Sequence, residues 1–360
     1  MPGESRFLED IRREPGELRA ILGRLLGAQR AALDEAARSL GAAARPWIAG
    51  MGSSFHGGQA IQALFDGAGR PARNADAGEL LHFARLQKDD VLLVLSRSGR
   101  SVEIAGLLAK AASAGAAVIG VTNDASSPLA RAGRPSLLLG ARPDANVSVT
   151  MYSGVALAGA VAAAMAVGGW QNGLAPALDR ALGDAEPAIA VWERAVIAHD
   201  WGAHDGPTLL LARGPGLAAA LEARQLFEEA AKHPATAHST GAFRHGPNEV
   251  VRPGCRVLLW LPAEPRLRAL DLALAADLRR AGANVALVGA ELPAGAADLA
   301  LELPVQHGVP AAWSFLFELM PVRLLVEATA RARGVDCDRF DHCPYVVESE
   351  EGLGGGHAPP

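Results

Sequence analysis

Apolar residues recur at helical spacing from Leu18 to Leu40, interleaved with arginine and glutamate, and predict a helical segment over residues 8–40. The period then changes. Short, continuously apolar runs at Trp47–Ala49, Val91–Leu95, Ala117–Val121 and Leu137–Leu139 read as strands. Small and polar residues follow the first two, and helical stretches then run through Phe65 and to Ala112. Strands apolar along their whole length, alternating with helices, indicate a parallel sheet covered on both faces. After a polar connection near residues 195–206 the pattern restarts with Thr208–Ala212 and a helix to Ala231. Further strands are predicted at Arg256–Leu261, Val285–Val288 and Leu299–Leu303, with helices over 266–281 and 310–333. This is an α/β chain with two successive copies of one three-layer αβα, flavodoxin-like architecture. The boundaries predicted are an N-terminal helical segment (1–44), two domains (45–195 and 206–345) and a C-terminal tail (346–360), of which Glu348–Pro360, acidic and then glycine-rich, is expected to be mobile.

From Val147 to Leu178 there is no charged residue. The stretch is made of Ala, Gly and Val rather than Leu, Ile and Phe, so it predicts a buried helix and not a membrane span. Composition narrows the function further. A net charge of −5 with 20% charged residues gives no basic surface for nucleic acid. Cys255, Cys337 and Cys343 lack metal-ligand spacing and read as reduced thiols. With no apolar signal core at the start, a cytoplasmic protein is expected.

Two loops rich in Ser and Gly lie between a strand and a helix in the first half. One holds Gly52, Ser53 and Ser54; the other holds Ser96, Ser98, Gly99 and Ser101. Such loops sit at the carboxyl edge of a parallel sheet, where ligands bind in open α/β folds. Hydroxyls and helix N-terminal amides together solvate a phosphate without a large positive charge. The same residues also serve as helix caps and turn formers, so the loops by themselves leave both readings open. The corresponding place in the second half reads Pro262-Ala263-Glu264-Pro265-Arg266, which predicts an anion site in the first half alone.

Ser96-Arg97-Ser98-Gly99-Arg100-Ser101 resembles the Ser-x-Ser-Gly-x-Thr/Ser signature of sugar-isomerase (SIS) domains, and Gly50–Ser54 is similar to that family's first Gly-Thr/Ser-Ser loop. Gly241–Pro247 resembles the segment ending His-Gly-Pro in its phosphosugar isomerases, and Glu9–Pro15 resembles the Glu-x-x-x-x-x-Pro start. The likeness runs from Glu9 to Glu348, to the isomerase half of glucosamine-6-phosphate synthases. It implies two tandem SIS domains. It further implies a sugar phosphate bound by Gly52, Ser53, Ser54, Ser96, Arg97 through its amide, Ser98, Ser101, Val147 and Ser148. Glu229 falls on the family's general base and His245 on its ring-opening histidine, which in the family serves a neighbouring subunit and so implies a homodimer. A carboxylate suits proton movement between adjacent carbons, and an imidazole suits proton transfer near neutral pH. No metal and no organic cofactor are implied.

The chain departs from the synthase pattern at Leu226 and Tyr345, which stand where the synthases have lysines, and at Met151, which replaces a basic residue. No cysteine lies near Met1, so no glutaminase domain is expected. Without those lysines an enzyme imine with a ketose is disfavoured, since only an amine forms one. The expected reaction is isomerisation, with or without C–N cleavage, of an amino-sugar or ketosamine phosphate. The alternatives are a fructosamine-6-phosphate deglycase and a non-catalytic sugar-phosphate sensor; no helix-turn-helix is legible in the first 45 residues to favour a regulator.

Overall fold

The computed structural model describes residues 4–203 and 206–352, which divide into two compact units. One comprises residues 16–175 with the stretch from Phe340 onward; the other comprises the residues up to Pro15 with 176–339. The last eight residues of the expected tail lie outside the described residues.

The unit of residues 16–175 opens with the second half of α1 (Arg6–Leu26) and with α2 (Arg30–Ala42). Its elements then alternate: β1 (Arg45–Gly50), α3 (Ser53–Gly67), β2 (Arg73–Asp76), α4 (Ala77–Phe83), β3 (Asp90–Leu95), α5 (Val102–Ala114) and β4 (Ala117–Thr122). α6 (Pro128–Ala132), β5 (Ser136–Leu138) and α7 (Thr150–Ala166) follow. All pairings are parallel, in the order β2-β1-β3-β4-β5, with Trp47 opposite Leu92 and Leu93 opposite Ile119. The strand order reverses between β1 and β3, so the loops leaving these two neighbours flank the crevice where doubly wound sheets take ligands. Those loops are Gly50–Ser54 and Ser96–Ser101.

Helix α7 is buried along most of its length. Its small residues allow close approach. A Cβ on Gly57 of α3 would come within 3.2 Å of the Ala156 Cβ, and one on Gly159 within 2.4 Å of the Ile61 Cδ1. The uncharged composition is therefore that of a core helix, and among the described residues no helix is long and apolar enough to cross a membrane.

The other unit contains α8 (Leu174–Ile197), β6 (Thr208–Ala212), α9 (Gly216–Glu229), β7 (Ala235–Ser239), α10 (Thr240–Phe243) and β8 (Arg256–Trp260). α11 (Pro265–Arg280), β9 (Asn284–Gly289), β10 (Leu299–Glu302) and α12 (Met320–Ala332) complete it. Its sheet order, β10-β9-β8-β6-β7, repeats the first sheet's topology strand for strand. Two tandem parallel sheets flanked by helices were expected, and they are present.

Several details differ from the sequence reading. Helix α8 belongs with the second sheet, not within a first domain reaching residue 195; Trp192 Nε1 donates to Glu302 O at 2.7 Å and Arg12 pairs with Glu193 at 2.9 Å. Residues 310–333 are not one helix but a 3₁₀ stretch, Ala311–Leu316, followed by α12. Pro321 explains the break, since proline suits the first turn of a helix and not its interior. Trp313, Phe315 and Phe317 are buried inside this unit. Strands β2 and β7 had no counterpart in the sequence reading. No cysteine is in a disulfide; Cys255 and Cys337 are buried and Cys343 is exposed.

Candidate functional site

Gly50 ends β1, and a Cβ there would lie 2.8 Å from backbone and side-chain atoms of Ser54, so only glycine lets α3 start this close to the strand. Gly52, at φ 49°, is the N-cap of α3 and carries no side chain to satisfy the helix's first amides. Ser53 and Ser54 occupy that first turn and are half-buried.

The second loop is held from β4. Thr122 Oγ1 and Asn123 N both donate to Arg97 O at 3.1 Å, and Ser96 N donates to Val121 O at 3.0 Å. Ser96 Oγ accepts from Gly99 N at 3.0 Å and Ser98 Oγ accepts from Arg100 N at 3.3 Å. Both serines thus act as turn acceptors, which leaves the hydroxyl protons as donors for a ligand. Gly99 sits at φ 61°, and a Cβ there would be 2.5 Å from Ser127 Oγ. Ser101 is the N-cap of α5 and makes no side-chain cap bond. Arg100 is neutralised by Asp124 at 2.7 Å. The Asp124 carboxyl is held down at about 2, first by the Ser126 hydroxyl and then by Arg100.

Among the helices that follow strands of this sheet, α4, α6 and α7 are already satisfied, while α2, ahead of the sheet, also lacks a side-chain cap bond. Asp76 caps α4 through Gly78 N at 2.9 Å, and Ser127 caps α6 through Ala130 N at 3.1 Å. Asp144, only 3% exposed, accepts from Val149 N and Met151 N at 2.8 Å and from Thr150 N at 3.2 Å. The amides following Val147 and Ser148 are therefore engaged by an internal carboxylate; Val147 is buried and Ser148 half-buried. Helices α3 and α5, the two that follow the serine loops, lack a side-chain cap bond. Asp144 went unrecognised in the sequence because it lies six residues ahead of the helix, beyond capping spacing.

In the second unit Glu229 ends α9, half-buried, and accepts from Gln225 Nε2 at 2.6 Å. Its neighbour Glu228 faces solvent and pairs with Arg224 at 2.9 Å. Leu226 is fully buried, so its position holds a core side chain. Lys232 Nζ donates to Glu229 O and, at 2.7 Å, to Arg339 O. His245 lies beyond α10 in an exposed turn closed by its own N–H to Ala242 O at 3.0 Å, before Gly246 at φ 122°. Strand β7 runs between the two: Ala235 pairs with Thr208 and Ser239 with Ala212, parallel to β6. Glu229 and His245 therefore stand at opposite ends of a five-residue strand, roughly 16 Å long at about 3.3 Å per residue.

Residues 41–168 match the profile of the SIS domain. The chain is 28% identical over 344 residues to the glutamine–fructose-6-phosphate aminotransferase (isomerizing) of Aeropyrum pernix, covering 89% of this chain and 53% of that protein. It thus spans about half the length of that relative. The arabinose 5-phosphate isomerase KdsD of Pseudomonas aeruginosa is 34% identical over 122 residues, 31% of this chain and 37% of that protein. Among solved structures, a glucosamine-6-phosphate deaminase from Thermotoga maritima superposes with a TM-score of 0.80 at 19% identity, over 96% of this chain and all of that one. The profile match falls on the sheet that carries both serine loops, so residues 41–168 are a SIS domain, and the chain as a whole shares the tandem fold of that solved structure.

Proposed function

We propose that this chain is a phosphosugar isomerase whose substrate phosphate sits on the first sheet's two serine loops. The observation that carries the reading is the pattern of helix caps: the helices after Gly50–Ser54 and Ser96–Ser101 lack side-chain cap bonds, whereas Asp76, Ser127 and Asp144 satisfy their neighbours. Val102 N of α5 and Ser54 N of α3 are taken by backbone carbonyls, and the remaining first-turn amides beside hydroxyl donors favour a dianion. Gly52, Ser53, Ser54, Ser96, Ser98, Ser101 and the Arg97 amide are the phosphate ligands in this reading, with Val147 and Ser148 at the margin.

Glu229 acts as the base moving a proton between adjacent carbons, and His245 opens the ring. Their separation across β7 supports a homodimer in which His245 serves the partner's site. Leu226 in the core and the Lys232 amine donating to two carbonyls support a route without an enzyme imine. The substrate class is then an amino-sugar or ketosamine phosphate, which brings its own amine. Purified protein incubated with glucosamine 6-phosphate, fructose 6-phosphate and fructosamine 6-phosphates should convert at least one, and the products separate isomerase, deaminase and deglycase. Tight binding of all with turnover of none would leave a sugar-phosphate sensor. Inactive Glu229→Gln and His245→Ala chains, mixed after dissociation, should regain part of the activity; no recovery in proven heterodimers would confine the site to one chain.

A further inference from the structure

Arg97 lies in the middle of the Ser96–Ser101 loop, and its side chain differs from that of its loop neighbour Arg100. Arg100 is paired with Asp124. Among the described residues Arg97 has no carboxylate partner. Its Nη2 donates to Tyr345 O at 2.6 Å and its Nη1 to Asn146 O at 3.4 Å, and the guanidinium carbon lies 3.9 Å from the centroid of the Tyr345 ring. Carbonyl oxygens and an aromatic face hold a cation in place without cancelling its charge. A guanidinium lying over a ring also keeps in-plane N–H donors at its edge for a planar or tetrahedral anion.

The tyrosine is itself tied down. Val102 N, the first amide of α5, donates to Val347 O at 3.0 Å, and His82 Nε2 lies 3.0 Å from Glu350 Oε1. The chain from Tyr345 to Glu350 therefore crosses the start of α5 and is fastened on both sides of the loop's uncapped helix.

We infer that the Arg97 guanidinium selects an anionic over a neutral ligand at the Ser96–Ser101 loop, and that Tyr345, held by the strap Tyr345–Glu350, is the positioning residue that keeps it there. The inference rests on the phosphate reading of that loop and adds the group that discriminates charge. A flexible arginine without the ring would lose both its fixed direction and its stacking, so the affinity for anions depends on a residue that need not touch the ligand.

The test is calorimetric titration with inorganic phosphate and with fructose 6-phosphate, fructose serving as the neutral control. Arg97→Gln should weaken both anions about tenfold or more, as expected when a donor to a charged acceptor is lost. Tyr345→Ala should weaken them roughly three- to tenfold, the range of a cation–π contact. Tyr345→Phe keeps the ring and the backbone carbonyl and should retain wild-type affinity. In an Arg97→Gln background, Tyr345→Ala should cause no further loss, whereas a merely structural tyrosine would weaken binding equally in both backgrounds. Tyr345→Leu, which keeps bulk without the ring, stands in if the alanine variant fails to fold, and should show the same loss. Full phosphate affinity in a folded Tyr345→Ala or Tyr345→Leu chain overturns the inference. Loss on Ser98→Ala with none on Arg97→Gln overturns it while leaving the phosphate site intact. No binding of either anion by the wild-type chain removes the phosphate reading as well.

Discussion

The two sheets have the same strand order, but the side chains at their carboxyl edges differ. At the first, the helices following β1 and β3 begin with Gly52 and Ser101 and take no side-chain cap bond. At the second, α11 is capped by the exposed Glu264, whereas α9 takes no side-chain cap bond but begins beside a buried carboxyl. Glu264 caps α11 through Arg266 N at 3.1 Å and Leu267 N at 2.6 Å. Glu318 lies beside the start of α9: a Cβ on Gly216 would be 3.6 Å from both its carboxyl oxygens. Ser314 Oγ donates to Glu318 Oε1 at 2.6 Å, and Oε2 is buried without a hydrogen-bond partner among the described residues. Duplicated topology thus offers two ligand edges, and side-chain chemistry decides which one stays open to an anion. At the other, a capping carboxylate on α11 and the buried Glu318 carboxyl beside α9 disfavour one.

The largest expected effect separates binding from chemistry. Glu229→Gln preserves shape and removes the base, and should lower turnover by about 10² to 10⁴-fold while phosphate affinity at the first sheet holds. Full activity would move the base elsewhere.

Glu318 supplies a pH signature for the second edge. Burial raises its carboxyl from the ordinary 4.5 to about 7, with the Ser314 hydrogen bond opposing. The folded form therefore keeps a proton that the unfolded chain releases, so stability falls as pH rises from about 4.5 to about 7 and is level above. The loss is on the order of 3 kcal/mol at most. Glu318→Gln, which mimics the protonated acid, should flatten this slope in urea midpoints measured across pH 4.5–8; an unchanged slope would mean the group ionises freely in the folded state.

Ser98→Ala should weaken phosphate about tenfold, the effect of one donor to a charged acceptor of about 1.5 to 3 kcal/mol. Unchanged affinity would take the loop out of the site and abolish the contrast between the edges. The smallest effect sharpens it from the other side. Glu264→Ala removes a cap and should cost about 1 kcal/mol of stability, read from the thermal midpoint, without altering phosphate affinity. A change in affinity would place the second edge in the ligand's path.

Much of the fold was legible because the buried strands are continuously apolar. β3, β4, β6, β8 and β9 carry their burial in their composition, and a run of five such residues between helices admits few other structures. β2, reading Arg-Asn-Ala-Asp, and β7, reading Ala-Thr-Ala-His-Ser, escaped notice because edge strands are half-covered and need no apolar run. The serine loops were legible as candidates by their place after a strand. That Ser96 and Ser98 act as turn acceptors shows only in their hydrogen bonds to Gly99 N and Arg100 N.

The acidic tail shows where composition misleads. Glu348–Pro360 was read as mobile, yet within it Glu350 pairs with His82 at 3.0 Å, and just ahead of it Val347 O accepts from Val102 N. By itself the sequence determined the two-copy αβα architecture, the serine loops and the absence of lysine at Leu226 and Tyr345, because each is carried by local pattern or identity. Only the tertiary structure decided which helix N-termini lack a side-chain cap, which arginine of the loop pairs with a carboxylate, and that β7 runs between Glu229 and His245. Those depend on pairings such as Asp144 with Met151 N or Arg97 with Tyr345, set by the packing of strands and helices and not by spacing along the chain.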